Sequence, residues 1–233
     1  MSLKDDLEEE VAEIYKEQWS RRDGQKVPED TDIKLGNDGV DLDATILYAD
    51  LADSTKLVDN YKDWYAGEQY KAFLRCATKI IRSEGGHIRS YDGDRVMGIF
   101  IGDSKNTNAV RCGLKINWSV KHIIEPAKKK QYPNTNYTMK HVCGIDQTKV
   151  LAARAGIRGS NDLVWIGKAA NYAAKLSAMP ETHATWITFR VYDNMNDAVK
   201  YAANGTGSNM WEERKWTAMD DLRIYRSSYW WSF

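Results

Sequence analysis

The chain has 233 residues, 42% hydrophobic and 28% charged, enough for one substantial core with appendages. Its 33 basic and 33 acidic side chains cancel, which removes any global attraction to nucleic acid or to an anionic membrane surface, so a polyanionic ligand must be held locally. Cys76, Cys112 and Cys143 are odd in number and widely spaced, which suits reduced thiols in a cytoplasmic protein better than a disulfide framework or a zinc site, and no apolar run reaches the roughly 18 residues of a spanning helix.

Leu3, Leu7, Val11, Ile14 and Trp19 recur at near-helical spacing, predicting an amphipathic helix over 3–21 that packs on something, such as a dimer partner. Residues 22–43 are polar and broken by Gly24, Pro28, Gly36 and Gly39, so 1–41 reads as an N-terminal helix and linker and 42–233 as the folded domain. Thr45 to Leu51 reads as a buried strand. A helical stripe of Tyr70, Phe73, Leu74, Ala77, Ile80 and Ile81 then stops at Gly85-Gly86. His87 to Tyr91 and Arg95 to Ile101 flank Asp92-Gly93, a hairpin signal. Ala109 to Ala127 predicts a second long helix. Tyr137 to Ile145 and Lys149 to Ala153 read as two strands able to pair, and Leu163 to Ile166 leads into a helix from Lys168 to about Ala178, stopped by Pro180. Late strands lie around Leu222 to Tyr225, with Trp211, Trp216, Trp230 and Trp231 as an aromatic cover over a groove or partner. The order βαββαβ predicts an α+β fold with a ferredoxin-like antiparallel sheet and helices on one face, a scaffold that does not by itself decide function.

Two segments carry carboxylates at strand ends. Asp50 closes the first strand, just before a helix start where Asp53 or Ser54 is placed as the cap and the backbone of Leu51, Ala52, Asp53, Ser54 and Thr55 can cradle a phosphate. Asp94 sits at the hairpin tip. Together the two carboxylates suit two hard cations, Mg²⁺ or Mn²⁺, which activate an attacking hydroxyl and stabilise a leaving diphosphate. Taken singly, Asp53 suits a helix cap and Asp92 a turn.

In order and spacing, Ile46–Thr55 and Ser90–Phe100 resemble the class III nucleotidyl cyclases, whose two metal aspartates match Asp50 and Asp94. Val164–Lys175 is similar to that family's W-G-x-x-V-N-x-A-x-R stretch, with Asn171 at the ribose-orienting asparagine and Lys175 where an arginine usually stabilises phosphate charge, and Val142–Asp146 is similar to its V-G-I-H segment. The resemblance covers roughly residues 44 to 180. It implies a homodimer in which the aspartates of one protomer face the asparagine and lysine of the other. The purine-reading positions of the family fall on Ser90 and Val164, neither a usual reader, and Val164 offers no hydrogen bond. Tyr48, where the family often has Phe, adds a hydroxyl beside the base. These features resemble the bacterial Pycsar antiphage pyrimidine cyclases, which implies UTP as substrate, cyclic UMP as product and an effector that the product activates. An adenylate or cytidylate cyclase and a non-catalytic nucleotide-binding module stand as alternatives. No histidine among His87, His122, His141 and His183 is placed as a general base.

Overall fold

The computed structural model describes residues 2–202 and 207–233. In chain order it contains α1 (Leu3–Lys16), β1 (Ser20–Asp23), β2 (Asp38–Leu51), α2 (Ser54–Asn60), α3 (Asp63–Ser83), β3 (His87–Asp92), β4 (Arg95–Phe100) and α4 (Lys105–Ser119). A π-helical turn at Val120–Ile124 joins α4 to α5 (Glu125–Gln131). There follow β5 (His141–Ile157), β6 (Ser160–Ile166), α6 (Lys168–Ser177), β7 (Thr185–Thr188), α7 (Phe189–Asn194), β8 (Glu212–Trp216) and β9 (Leu222–Ser227). The strands form one sheet in the order β3-β4-β2-β5-β7-β9-β8, with β1 added to β2 and β6 to β5. Pairing is antiparallel except for β1–β2 and β5–β7. The stretch from β2 to β5 is the expected βαββαβ core. Among the described residues no helix is long and apolar enough to cross a membrane.

Side-chain alternation along β2 divides the core. Leu47, Ala49 and Leu51 face α3 and α4, meeting Phe73, Ala77, Ile80, Ile81 and Leu114. Leu42, Ala44 and Ile46 face the other way, where Met97, Ile99, Ala169 and Ala173 cover them. Thus α3 and α4 lie on one face, as expected, while α6 occupies the opposite one. Its stripe of alanines permits a close crossing over β5. At the crossing point a Cβ on Gly144 would lie 2.2 Å from the Ala173 carbonyl oxygen and 2.3 Å from the Ser177 amide nitrogen.

Several local expectations are corrected. Helix α1 ends at Lys16 because residues 20–23 are drawn into the sheet beside Asp38–Asp41, with Arg21 and Arg22 paired to Asp41 and Asp38. The apolar stripe of α1 packs on nothing among the described residues: Leu3, Leu7, Val11 and Ile14 are all exposed. The segment expected as a linker is packed, with Val27 and Ile33 buried against the sheet. The two strands expected between Tyr137 and Ala153 are one, β5, because no turn residue interrupts Asp146-Gln147-Thr148 and β2 offers a partner along the whole length. The hairpin turn lies one residue later than Asp92-Gly93. Asp92 pairs with Arg95, and Gly93 takes the positive φ (60°) at the first central position, leaving Asp94 at the second.

The aromatic tail covers α4 of its own chain rather than a groove. Asn117 donates its side-chain amide to the Ser228 and Tyr229 carbonyls, at 3.1 and 2.9 Å, and the Trp231 amide donates to the Leu114 carbonyl. Trp211 and Trp216 are core residues.

Because both atoms nearest Gly144 belong to backbone, Gly144→Ala is expected to lift α6 from the sheet and lower the unfolding free energy by about 3 kcal/mol. Urea unfolding followed by circular dichroism measures this, and an unchanged midpoint would mean that α6 is not held at this crossing.

Candidate active site

Asp50 is the penultimate residue of β2 and shares the Tyr48 face of the sheet; its cross-strand neighbours are Arg95 on β4 and Val142 on β5. Asp94 comes from the hairpin turn beside it. The Asp50 carboxyl is pushed up to about 6, first by burial and then by the charge of Asp94, against the opposing pull of Arg95 and the Leu51 amide. One carboxylate oxygen of Asp94, Oδ2, is buried without a hydrogen-bond partner. Two adjacent carboxylates, one costly to ionise and one with an orphaned oxygen, fit a hard divalent cation, which would relieve both. No cluster of three or more acidic, histidine or cysteine ligands forms among the described residues. A cation here would therefore complete its shell with water or ligand oxygens, as Mg²⁺ commonly does.

Arg95 was not singled out from the sequence, yet it organises this corner. It pairs with Asp92 at 2.7 Å, and its guanidinium lies over the Tyr48 ring, 5.0 Å from the centroid. Its Nε is buried without a partner. The available signal was its place after Asp94 and opposite Asp50 in a hairpin register. Tyr48 is half-buried, which raises its hydroxyl pKa. Ser90, Met97 and Tyr48 occupy one cross-strand row, so Ser90 and Tyr48 face the same side with Met97 between them.

The expected phosphate segment is placed differently in detail. Asp53 adopts the left-handed region (φ 58°), and its carboxylate makes no cap; it pairs with Lys56 at 2.7 Å. The Ala52 amide is already engaged, donating to the Lys140 carbonyl at 2.9 Å. Leu51 is buried in the core. The first-turn amides of α2, at Ser54 and Thr55, have no intrahelical acceptor and remain the donors of this loop.

The remaining expected site residues sit on α6 and β6. Asn171 and Lys175 are exposed on α6, one turn apart on the side away from the sheet. Val164, on β6, pairs with Ala153, which in turn pairs with Gly39 of β2. Gly39 precedes Asp50 by eleven residues along the strand, a span of about 37 Å at about 3.4 Å per residue. One copy therefore gathers Asp50, Asp94, Tyr48 and Ser90 but not Val164.

No protein-family model matches the sequence. A uridylate cyclase of Xanthomonas perforans is 45% identical over 232 residues, 99% of each chain. The chain belongs to the uridylate cyclase family. A uridylate cyclase of Burkholderia cepacia is 47% identical over the full length of both chains. Among solved structures, the guanylyl cyclase Cya2 superposes with a TM-score of 0.67 at 15% identity, covering 83% of this chain and 95% of its own. A class III adenylyl cyclase-like ATP-binding protein from Pseudomonas aeruginosa also gives 0.67 at 15%, covering 88% and 46%. At these identities the superpositions establish the fold, that of the class III catalytic domain. Together the relatives and the fold make the chain a nucleotide cyclase.

In this cyclase the raised Asp50 pKa has a stability consequence. The folded state holds a proton that the unfolded chain releases at its ordinary value, so stability falls as pH rises from about 4 to about 6. Asp50→Asn is expected to raise the melting temperature of metal-free protein by about 3 °C at pH 7.5 and by nothing at pH 4. Mn²⁺ is expected to stabilise the wild type at pH 7.5 but not Asp50→Asn. Equal melting curves in EDTA at pH 7.5 would contradict the placement of Asp50.

Proposed function

We propose that this cyclase converts UTP to 3′,5′-cyclic UMP and diphosphate at two equivalent sites shared between the copies of a homodimer. The observation that carries the reading is the pairing of Asp50 with Asp94 at the strand end, where an orphaned carboxylate oxygen and a raised pKa mark an unmet demand for positive charge. Asp50 and Asp94 would hold two divalent ions, Mg²⁺ or Mn²⁺, which would supply positive charge to the attacking hydroxyl and the leaving group. The 3′-oxygen bonds to the α-phosphorus, the bond from that phosphorus to the bridging oxygen breaks, diphosphate leaves and the hydroxyl proton passes to solvent.

The amides of Ser54 and Thr55 would hold the phosphate tail beside Asp50. Asn171 and Lys175 of the second copy orient the ribose and hold charge on the transferred phosphoryl group; their outward position on α6 and the distance to Val164 support a shared site. Lys175 replaces a planar fork with a point charge, which still binds phosphate. Tyr48 and Ser90 of one copy and Val164 of the other would frame the base. With Tyr48 packed under Arg95 and neither usual purine reader present, the pocket suits a pyrimidine, and the full-length likeness to uridylate cyclases favours uracil. The product would act in the bacterial cytoplasm as an antiphage signal to an effector that binds it. Lys175 also motivates a second reading, a module that binds nucleotide without turnover.

Incubation with Mn²⁺ and each of ATP, GTP, CTP and UTP, with products identified by mass, is expected to give dominant cyclic UMP. Bound nucleotide without any cyclic product would select the binding module. Asp50→Ala and Asp94→Ala are each expected to cut turnover by about 10³-fold while light scattering still reports a dimer. Tyr48→Ala is expected to narrow the preference for UTP over ATP by about tenfold, read from kcat/KM.

A further inference from the structure

Behind the catalytic strand end, on the side of α4, lies a cavity of about 170 Å³. Its lining includes Val120, Lys121, Lys140, His141, Glu181 and Ser228. The volume is below the roughly 300 Å³ at which pockets for drug-sized ligands begin, but accommodates a small ion with water. Three features mark it as more than a packing gap. His141 is 4% exposed, and its Nε2 has no hydrogen-bond partner among the described residues, an unusual cost for a buried polar atom. Lys121 forms no ion pair among the described residues, although its charge lies close enough to His141 to disfavour protonation of the ring, which burial already pushes down to about 4. Finally, Lys121 sits in the π-helical turn Val120–Ile124, an irregularity frequent at functional sites.

The charges around this space decide the kind of ligand. Lys140 and Glu181 neutralise each other across 3.2 Å, and Asn117 spends its amide on the tail carbonyls. What remains is one unpaired ammonium and the orphaned imidazole nitrogen, beside a Ser228 hydroxyl that donates to the Thr182 carbonyl at a long 3.4 Å, a set that suits an anion with several acceptor oxygens. We propose that this cavity is an effector site for a small oxyanion of the phosphate class. Its connection to the reaction is short. His141 pairs in register with Leu51, and the carbonyl of Lys140 receives the amide of Ala52, so the strand residues that line the cavity also hold the loop after Asp50. An anion drawn between Lys121 and His141 acts on that loop through β5. Diphosphate, released once per turnover, and orthophosphate are the two sources of this chemistry. The effect on turnover rests on the cyclase reading, whereas the binding does not.

Titration calorimetry of orthophosphate, and separately of diphosphate, into metal-free and nucleotide-free protein is expected to show saturable binding for at least one anion. That binding should weaken about tenfold in Lys121→Ala and return in Lys121→Arg. The anion whose binding depends on Lys121 identifies the source. At saturating anion, UTP turnover by the wild type should change by at least about twofold, and turnover by Lys121→Ala should not respond. If neither anion shows Lys121-dependent binding, the site does not exist; if binding depends on Lys121 but turnover is indifferent, the link to the loop is refuted. A wild type that makes no cyclic nucleotide would instead overturn the proposed function, with the binding result still standing.

Discussion

Thirteen residues of β2, from Gly39 to Leu51, pair in antiparallel register with Ala153 to His141 of β5, and the proposed functional groups are placed by this ladder. At one end it delivers Asp50 to the hairpin that carries Asp94, and it ties the Ala52 amide to β5 just before the first turn of α2. At the other it carries β6 away from that corner. Because side chains alternate, a slip of one residue would turn Asp50 toward α3 and α4 and bury it in an apolar core. The same slip would drive Leu47 and Leu51 out of that core. Hydrophobic burial therefore fixes the position of the Asp50 carboxylate, although the carboxylate itself contributes nothing to that burial.

The corner beside Asp50 is electrostatically unsettled by construction. Two carboxylates share it, burial disfavours charge on Asp50, and the compensating Arg95 divides its attention between Asp92 and the Tyr48 ring. A partly buried pair of like charges is costly unless something else offsets it. The same Arg95 links the carboxylate corner to the Tyr48 ring, since it lies across from Asp50 in the β2–β4 pairing and over Tyr48 two residues earlier. Charge at the carboxylates and the position of the tyrosine ring are thus coupled through one side chain.

Much of this was legible in the sequence where local chemistry speaks. The apolar run Thr45–Leu51, the stripe from Phe73 to Ile81 and the glycine of the hairpin gave the core order directly. The strand-end position of Asp50 and the turn position of Asp94 were readable because strand ends and turns have strong signatures. What failed depended on partners distant in sequence. Residues 22–43 look like linker because Arg22, Asp38 and Asp41 are polar, and only their ion pairs, with Arg21 from the end of the expected helix, and the sheet edge make the segment ordered. The unity of β5 required knowing that β2 continues beside it. Ala52, expected to face phosphate, has its amide committed to Lys140, a bond between residues 88 apart in numbering that no local pattern announces. Arg95 looked like an ordinary strand residue until the register set it against Asp50.

Lys175 is the clearest departure from the family pattern. Its ammonium has one polar contact among the described residues, the thioether of Met219 at 3.6 Å, and sulfur is a weak acceptor. Two lysines beside the loop after Asp50 are already paired, Lys56 with Asp53 and Lys140 with Glu181. An ammonium left with only a weak contact, on the exposed face of a helix that Gly144 lets sit directly on the sheet, retains its charge for an incoming anion and loses little in turning toward it. The rigidity comes from α6 and the reach from the side chain. That division explains how a flexible lysine can stand at a position where a planar guanidinium is usual, provided that the second copy brings Asp50 and Asp94 to meet it.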